Sequence, residues 1–360
     1  MGEIHTELKR VEEEELGHKQ AKVDIWKYVF GFVEMAVVKS AIELGIADTI
    51  ETHGNFPMTL SELSSTLGCS ASHLYRIMRF LIHRGIFKET KTSQLGSPAY
   101  SQTPLSHMLM RSGEHSMAAL LLLESSTPML APWDGLSARI LGTASSAFEA
   151  ANSDDLWSYT MANPAHSQLL NEAMGSIARV NVAAIVDKCG DLFEGIETVV
   201  DVGGGNGTAL GLLVKAYPWI RGINFDLPHV VCVAEKIDCV ENVGGDMFDF
   251  IPKADVAFIM SVLHDWGDDE CIRILKKCRE AISEDKGKVI IIEAVIEKDN
   301  KKEDKLSNVR LMLDMIMMAH TNTGKERTLN EWEYVLNEAG FSRFSVRPID
   351  ALPSVIEAFP

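Results

Sequence analysis

The sequence predicts an α/β protein whose C-terminal part is a doubly wound parallel sheet, preceded by a mostly helical part. From about residue 195, short β-branched runs alternate with helical stretches, which is typical of parallel strands joined by crossover helices. Before that point, apolar residues recur at three- and four-residue spacing, which indicates helices. We therefore expect a flexible tail at 1–20, a helical domain at 21–185 and an α/β domain at 186–360.

Composition narrows the class of protein. The net charge of -17 argues against a nucleic-acid partner, because phosphate binding needs a basic surface. The six cysteines form no C-x-x-C pair and no Cys/His cluster, so we expect reduced thiols. The first twenty residues lack the apolar core of a secretory signal, and the apolar stretches are too short or too interrupted to cross a bilayer. A cytoplasmic protein without a membrane partner is expected.

The N-terminal elements have recognisable start and stop signals. The pattern predicts helices over residues 22–44 and 70–85, and a third between them that begins at Thr59. Thr59 with Glu62 three residues later predicts a capping box, and Gly68 ends that helix. A polar, hairpin-like stretch follows around residues 91–101.

Helix, turn, helix and hairpin form the outline of a winged-helix unit. The usual function of such a unit is DNA binding, with the second helix in the major groove. The strongly acidic chain argues against that function. We interpret the unit as a packing and dimerisation module, since one fold serves many functions.

The C-terminal part predicts five parallel strands and an antiparallel edge pair. The parallel strands are expected at 198–202, 222–226, 240–243, 256–262 and 288–294, and the edge pair at 342–347 and 354–358. The helices between them are expected at 208–216, 229–236 and 271–282.

The first of these strands leads into a glycine-rich loop. Its spacing is Asp201-x-Gly203-x-Gly205-x-Gly207. Glycines let the backbone turn sharply after a strand and leave no Cβ between the main chain and a ligand, which favours a nucleotide-like cofactor. The dinucleotide fingerprint requires a third glycine where this chain has Thr208. The loop is therefore closer to the first motif of S-adenosylmethionine-dependent methyltransferases.

Acidic residues follow the next two strands. Asp226 ends the second strand, close to the offset expected for a carboxylate that accepts both ribose hydroxyls. Asp246 follows the third strand and can accept from an adenine amine, while Met247 can pack against the ring. In a doubly wound sheet these positions share one edge, so they predict one cofactor site.

The fourth strand leads to His264, which we predict to be a general base. An imidazole suits the removal of a phenolic proton near neutral pH. Glu293 or Glu326 can orient this imidazole and stabilise it once protonated, and the spacing alone leaves both open. The acidic run 268–270 fits the first turn of a helix better than a metal cluster, so we expect no metal.

Together these residues resemble the plant O-methyltransferases of the caffeic acid, isoflavonoid and benzylisoquinoline alkaloid type. The matching motifs are Val200-Asp-Val-Gly-Gly-Gly-Asn-Gly207, Phe225-Asp-Leu-Pro-His229, Gly244-Gly-Asp-Met-Phe248, Leu263-His-Asp-Trp266 and Gly324-Lys-Glu-Arg-Thr328. The resemblance covers the chain from about residue 22. It implies an N-terminal helical dimerisation domain and a C-terminal Rossmann-like domain.

The resemblance also implies roles for single residues. Binding of S-adenosylmethionine falls to Gly203, Asp226, Asp246, Met247 and the position of Met260. His264 deprotonates the acceptor hydroxyl, with Glu293 and Glu326 beside it. Carried over by position, the acceptor pocket includes Met174, Asp314, Met317 and Thr321, with Trp133, Phe148 and Met161 as further candidates.

Three segments look most like the alkaloid branch: 222–230, 319–326 and 355–360. A catechol-bearing alkaloid is therefore the first expected acceptor of this plant secondary metabolism, and a flavonoid or phenylpropanoid phenol the second. A homodimer is expected, and a heterodimer is the second possibility. The sequence does not fix the hydroxyl that is methylated.

One position departs from the family pattern. Four residues before His264 the family usually has a lysine, whereas this chain has Met260, which cannot donate a charged hydrogen bond. This departure motivates a second hypothesis, a weakly active partner subunit of a methyltransferase heterodimer, against which His264, Glu293 and Glu326 argue. Thr208 argues against a nicotinamide-dependent oxidoreductase, and the acidic charge argues against a DNA-binding regulator.

Overall fold

The computed structural model describes residues 2–54, 56–91, 98–142, 146–297 and 305–360, with side chains described from residue 15 onward except Lys91. By spatial contact the chain divides into two compact units, Met1–Ala118 and Ala119–Pro360. Each unit is described by itself.

The first unit is mostly helical. Its helices are α1 (Gly2–Val29), α2 (Gly31–Leu44), α3 (Ile46–Thr52), α4 (Leu60–Leu67), α5 (Ala71–His83) and α6 (Pro104–His107). Its strands are β1 (Met58–Thr59), β2 (Lys88–Lys91) and β3 (Pro98–Ser101), which form an antiparallel sheet in the order β1-β3-β2.

The predicted start and end of α4 are confirmed, whereas the single helix expected over 22–44 is divided at Phe30 into α1 and α2. Thr59 caps α4, and the reciprocal bonds with Glu62 complete the capping box. Gly45 and Gly68 follow α2 and α4 with φ of 68° and 63°, a left-handed conformation that glycine adopts without strain. The predicted hairpin at 91–101 lies partly outside the described residues, and the winged-helix interpretation stays a prediction.

From Ala118 onward, six helices precede the large sheet. They are α7 (Ala118–Glu124), α8 (Thr127–Leu130), α9 (Leu136–Ile140), α10 (Ala147–Asn152), α11 (Leu156–Ala162) and α12 (Pro164–Lys188). By length and composition alone α12 could cross a membrane, so the expectation that all apolar stretches are too short or too interrupted is wrong for this helix. In the structure α12 packs on the α/β core, where Ala178, Val182 and Ile185 join the cluster of the first parallel strand.

The α/β part follows. Its strands are β4 (Thr198–Val202), β5 (Arg221–Asp226), β6 (Val240–Gly244), β7 (Val256–Met260), β8 (Lys288–Glu293), β9 (Val295–Ile296), β10 (Arg327–Thr328), β11 (Arg343–Pro348) and β12 (Ser354–Phe359). Its helices are α13 (Thr208–Ala216), α14 (Pro228–Val231), α15 (Asp268–Ala281), α16 (Ser307–His320) and α17 (Leu329–Glu338).

Seven strands form one sheet in the order β11-β12-β8-β7-β4-β5-β6. Strands β4 to β8 are parallel, and β12 and β11 add the predicted antiparallel edge pair. Helices α12 and α13 cover one face, while α15 and α17 cover the other. The strand order reverses between β4 and β7, and ligands of doubly wound sheets bind at such a reversal.

Two features of the second unit differ from expectation. The helix predicted at 229–236 is only the four-residue α14, because no residue of that stretch is buried and packing therefore does not extend the helix. The boundary between the two compact units lies at Ala118, earlier in the chain than the predicted domain boundary at residue 186, because α12 shares the core of the α/β part. The functional domain boundaries proposed from the sequence stay predictions.

Candidate active site

The loops that follow β4 and β7 meet at the reversal of strand order. Gly203 has φ of 73°, and a Cβ at this position would lie 2.8 Å from Val262 Cγ2. Any larger residue would push the two loops apart. Glycine is thus required at 203 both for its conformation and for this close approach.

The glycine loop is fastened to the end of β5. The Gly205 N–H donates to Asp226 Oδ2 at 2.8 Å, and the Leu227 N–H donates to Oδ1 at 2.6 Å. Burial raises the pKa of Asp226, and these two hydrogen bonds counteract the rise. A Cβ at Gly205 would meet no atom within 4 Å, so open space adjoins the Asp226 carboxylate. This open, glycine-lined edge with its carboxylate fits the sugar of a nucleoside cofactor.

The other predicted cofactor residues occupy the same edge of the sheet. Asp246 follows β6 and accepts from the Phe248 N–H at 2.8 Å. Met247 packs, partly buried, against the core cluster beneath α15. Met260 is the last residue of β7 and packs against the cluster on the opposite face. Their roles toward a cofactor stay predictions.

His264 lies in a short 3-10 helix, Leu263–Asp265, directly after β7. Its Nδ1 hydrogen-bonds Glu326 Oε1 at 2.7 Å and lies 3.5 Å from Glu293 Oε2. Its Nε2 lies 3.8 Å from Asp265 Oδ1, beyond hydrogen-bond distance. The structure therefore brings the three predicted catalytic residues together, with both glutamates on the Nδ1 side of the imidazole.

The two glutamates act on different parts of the site. Glu293 ends β8 and its Oε1 accepts the N–H groups of Val262 and Leu263 at 2.9 and 2.8 Å. It holds the main chain of the histidine turn, next to Ser261 with its positive φ of 54°. Glu326 is the imidazole partner. The spacing in the sequence could not distinguish these two roles.

Arg327 is a positioning residue that the sequence analysis missed. Its guanidinium is fully buried and donates to the carbonyl oxygens of Leu263 and Trp266 at 3.1 and 2.8 Å. It also pairs with Asp268, whose carboxylate lies in the first turn of α15 as predicted. Arg327 thus holds the carbonyl side of the turn whose amide side Glu293 holds. Its position beside Glu326 in the motif 324–328 was the available signal.

Charges around the histidine shift its pKa. Burial alone would lower the pKa of His264, but the carboxylates of Glu293 and Glu326 raise it well above its usual value. Burial raises the pKa of Glu293 to about 7 and that of Asp265 to about 6. The site therefore stabilises an imidazolium, which is the product of proton abstraction from an acceptor.

The same three side chains satisfy the distances of a metal site. One ligand atom from each of His264, Glu293 and Glu326 lies within 4.8 Å of the others. However, Glu293 Oε1 already accepts two N–H groups, and Glu326 Oε1 is bonded to the imidazole. The absence of a metal stays a prediction.

The acceptor-pocket candidates are distributed unevenly. Asp314 Oδ1 accepts from the Glu326 N–H at 2.9 Å, and the buried Thr321 donates to the carbonyl of Met317, which is itself buried. Met174 is half-exposed and Met161 is exposed.

Two aromatic candidates surround His320. Trp133 and Phe148 pack edge-on against its ring, with centroids 6.0 and 6.1 Å away. His320 in turn bonds the carbonyl of Met129 at 2.9 Å. Phe148 is fully buried, whereas Trp133 is only partly so.

Two family models match the chain. The O-methyltransferase domain model covers residues 133–342 and includes the whole histidine site. The chain belongs to the O-methyltransferase family. The O-methyltransferase dimerisation domain model covers residues 26–112, within the helical first unit.

Curated plant proteins are similar to this methyltransferase over almost its full length. An acetylserotonin O-methyltransferase of Arabidopsis thaliana is 52% identical, covering 94% of this chain and 92% of its own. A flavonoid 7-O-methyltransferase of Mentha piperita is 45% identical, covering 94% and 98%. A norcoclaurine 6-O-methyltransferase of Thalictrum flavum is 41% identical, covering 95% and 97%. The family is thus the plant S-adenosylmethionine-dependent type.

A solved structure has the same fold. Human N-acetylserotonin methyltransferase, crystallised with SAM, aligns with a TM-score of 0.82 at 22% identity, covering 94% of this chain and 97% of its own. At this identity the likeness supports the fold only.

Proposed function

We propose that this methyltransferase transfers a methyl group to a phenolic hydroxyl of a small aromatic acceptor, with His264 as the general base. The observation that supports this most is the short bond between His264 Nδ1 and Glu326, which leaves Nε2 as the proton acceptor. When bound, S-adenosylmethionine supplies an electrophilic methyl group on its sulfonium sulfur. The residues that would hold it are Gly203, Asp226, Asp246 and Met247.

The proton path follows from the hydrogen bonds. Nδ1 carries a proton and donates it in a hydrogen bond to Glu326 Oε1, so Nε2 is the basic nitrogen. As Nε2 takes the acceptor proton, the imidazole becomes a cation beside the Glu326 and Glu293 carboxylates, which stabilise it. The main-chain bonds of Glu293 and Arg327 keep the imidazole in place while its charge changes.

A direct assay tests the proposed reaction. Purified protein is incubated with labelled S-adenosylmethionine and a panel of N-acetylserotonin, catechol alkaloids and flavonoids. We expect labelled product from at least one acceptor and calorimetric binding of the cofactor. If no acceptor is methylated and the cofactor does not bind, the proposal is wrong.

The acceptor is the finer part of the proposal. The 52% identity to an acetylserotonin O-methyltransferase supports a hydroxyindole as the first acceptor to test. The alkaloid expected from the sequence is the second, supported by the 41% identity to a norcoclaurine O-methyltransferase, and the flavonoids are the third. Comparing kcat/KM across the three classes identifies the preferred acceptor, because specificity is a ratio of these values.

We also propose that the protein works as a cytoplasmic homodimer. The match to a dimerisation domain supports self-association. Helices α1 and α2, and Phe30 between them, expose large apolar side chains, among them the stacked pair Trp26 and Phe30, together with Tyr28 and Phe32. Exposed apolar surface of this kind marks an interface.

A further inference from the structure

A row of polar side chains crosses the sheet beside the glycine loop. Asp201 on β4 is the register partner of Asn224 on β5, which is the register partner of Asn242 on β6. Register partners of parallel strands point to the same face, so the three side chains are neighbours. Asp201 and Asn224 are buried. None of the three takes part in the proton path described above.

Two acceptor atoms in this row have no donor. Asp201 Oδ2 and Asn224 Oδ1 are buried, and neither has a hydrogen-bond partner among the described residues. Both border the same spot, because a Cβ at Gly204 would overlap Asn224 Oδ1 and lie 2.9 Å from Asp201 Oδ2. Two buried acceptors that share one spot are unfavourable unless one of them carries a proton.

Rotating the Asn224 amide does not resolve the conflict. Its Nδ2 donates to the Gly205 carbonyl oxygen at 3.1 Å and to Asn242 Oδ1 at 3.0 Å. In the rotated amide, Nδ2 would face Asp201, but Oδ1 would then face the Gly205 carbonyl, which only accepts. Among the three side chains of this row, Asp201 is the one that can gain a proton and supply the missing donor.

We propose that Asp201 is a positioning residue that carries a proton on Oδ2 and donates it to Asn224 Oδ1, so that the Asn224 amide is held on the Gly205 carbonyl. Asp226 accepts a hydrogen bond from the N–H of Gly205, so side chains of β5 fix both the N–H and the carbonyl of this glycine. This fixes Gly205 at its φ of 57°, in the loop that faces the cofactor site. Asp201 therefore acts on the cofactor only through this loop.

The electrostatics of the site agree with this assignment. Burial and the neighbouring carboxylate of Asp226 raise the pKa of Asp201 to about 7. A carboxyl group whose pKa is higher in the folded than in the unfolded protein lowers stability as pH rises between the two values. Wild-type stability therefore falls between the ordinary aspartate value of 3.8 and about 7 because of this group.

The test uses Asp201→Asn, which supplies an amide N–H donor of nearly the same shape. Thermal midpoints of cofactor-free wild type and variant are compared from pH 5 to pH 8. We expect the midpoint of the variant minus that of wild type to increase with pH, because the variant lacks the ionisation penalty. A difference that decreases with pH would show that the fold stabilises the ionised form of Asp201, and a difference independent of pH would show a carboxyl group with an ordinary pKa; either result overturns the proposal.

Asp255→Asn is the matched control. Asp255 Oδ2 accepts three hydrogen bonds, from the N–H groups of Glu197 and Thr198 and from the Thr198 hydroxyl. The amide oxygen of asparagine can still accept these bonds, and its NH₂ supplies no donor that this site lacks. Its midpoint difference from wild type should not increase with pH.

Infrared spectroscopy and calorimetry give independent readouts. With ¹³C-aspartate labelling, wild type at pH 6 should show a protonated-carboxyl carbonyl band that is weaker in Asp201→Asn, where Asp265 still contributes, and that weakens in wild type above pH 8. A spectrum without this band overturns the proposal even if the variant does not fold. In calorimetry, Asp201→Asn should bind S-adenosylmethionine within about threefold of wild type, whereas Asn224→Ala should bind at least tenfold more weakly. Equal loss in both variants would also contradict the assigned role.

Discussion

At the scale of single residues, we expect the carboxylates of Glu293 and Glu326 to set the basicity of His264. Glu326 contacts Nδ1 at 2.7 Å, and carboxylates beside the ring raise the pKa of His264 well above 6.5. Only the unprotonated imidazole accepts a proton, so we expect kcat/KM to rise with pH above 6.5 and level off above the raised pKa. Glu326→Gln should move this rise to lower pH by about 1 to 3 pH units. A profile that does not move would contradict the role of Glu326.

A metal requirement of the histidine site is also a question about single residues. His264, Glu293 and Glu326 could satisfy a metal by distance, but the imidazole Nδ1 and one oxygen of each glutamate already make hydrogen bonds. We expect methyl transfer to be unchanged after dialysis against EDTA and after addition of Mg²⁺ or Zn²⁺. Loss of activity on chelation, restored by one added metal, would make this cluster a metal centre.

At the scale of elements, the turn between β7 and α15 depends on Glu293 at the end of β8. Its Oε1 accepts the N–H groups of Val262 and Leu263, and a glutamine oxygen can accept both as well. We expect Glu293→Gln to keep most of the thermal stability, whereas Glu293→Ala leaves two buried N–H groups unpaired and costs about 2 to 4 kcal/mol. Equal loss in both variants would contradict an anchoring role.

Arg327 anchors the same turn from β10. The buried guanidinium of Arg327 donates to two carbonyl oxygens and pairs with Asp268. Arg327→Met should therefore lower the free energy of unfolding by about 3 kcal/mol. It should also reduce kcat more than it reduces cofactor affinity. The control is Arg343→Met on the edge strand β11, where the exposed guanidinium stacks on Phe359 and a smaller effect, about 0.5 kcal/mol, is expected. Chemical denaturation measures both. Equal effects would contradict the assigned role.

Local sequence patterns predicted helices and strands better than they predicted the contacts between those elements. The apolar runs and the glycine after β4 define Thr198–Val202 correctly, because these signals are local. The helix expected at 229–236 is short because none of its residues is buried, and burial depends on distant residues. The role of Arg327 was not predictable, because it joins a carbonyl 64 residues away.

At the scale of the whole molecule, the exposed apolar helices predict the assembly state. Trp26 and Phe30 are 59% and 55% exposed and stack on each other, so a second copy would gain by covering them. We expect light scattering to show a dimer, and Trp26→Glu with Phe30→Glu to shift it toward monomer. Tyr75→Glu, on helix α5, is the control for an added charge. A monomeric wild type would contradict the homodimer.

The central claim is that His264 is the general base of methyl transfer. The most direct measurement uses His264→Ala and the best acceptor of the panel. It compares the single-turnover rate of this variant and its calorimetric affinity for S-adenosylmethionine with those of wild type. We predict that the rate falls by about 10² to 10⁴-fold while the cofactor affinity stays near that of wild type. Turnover retained at the wild-type rate would contradict the claim.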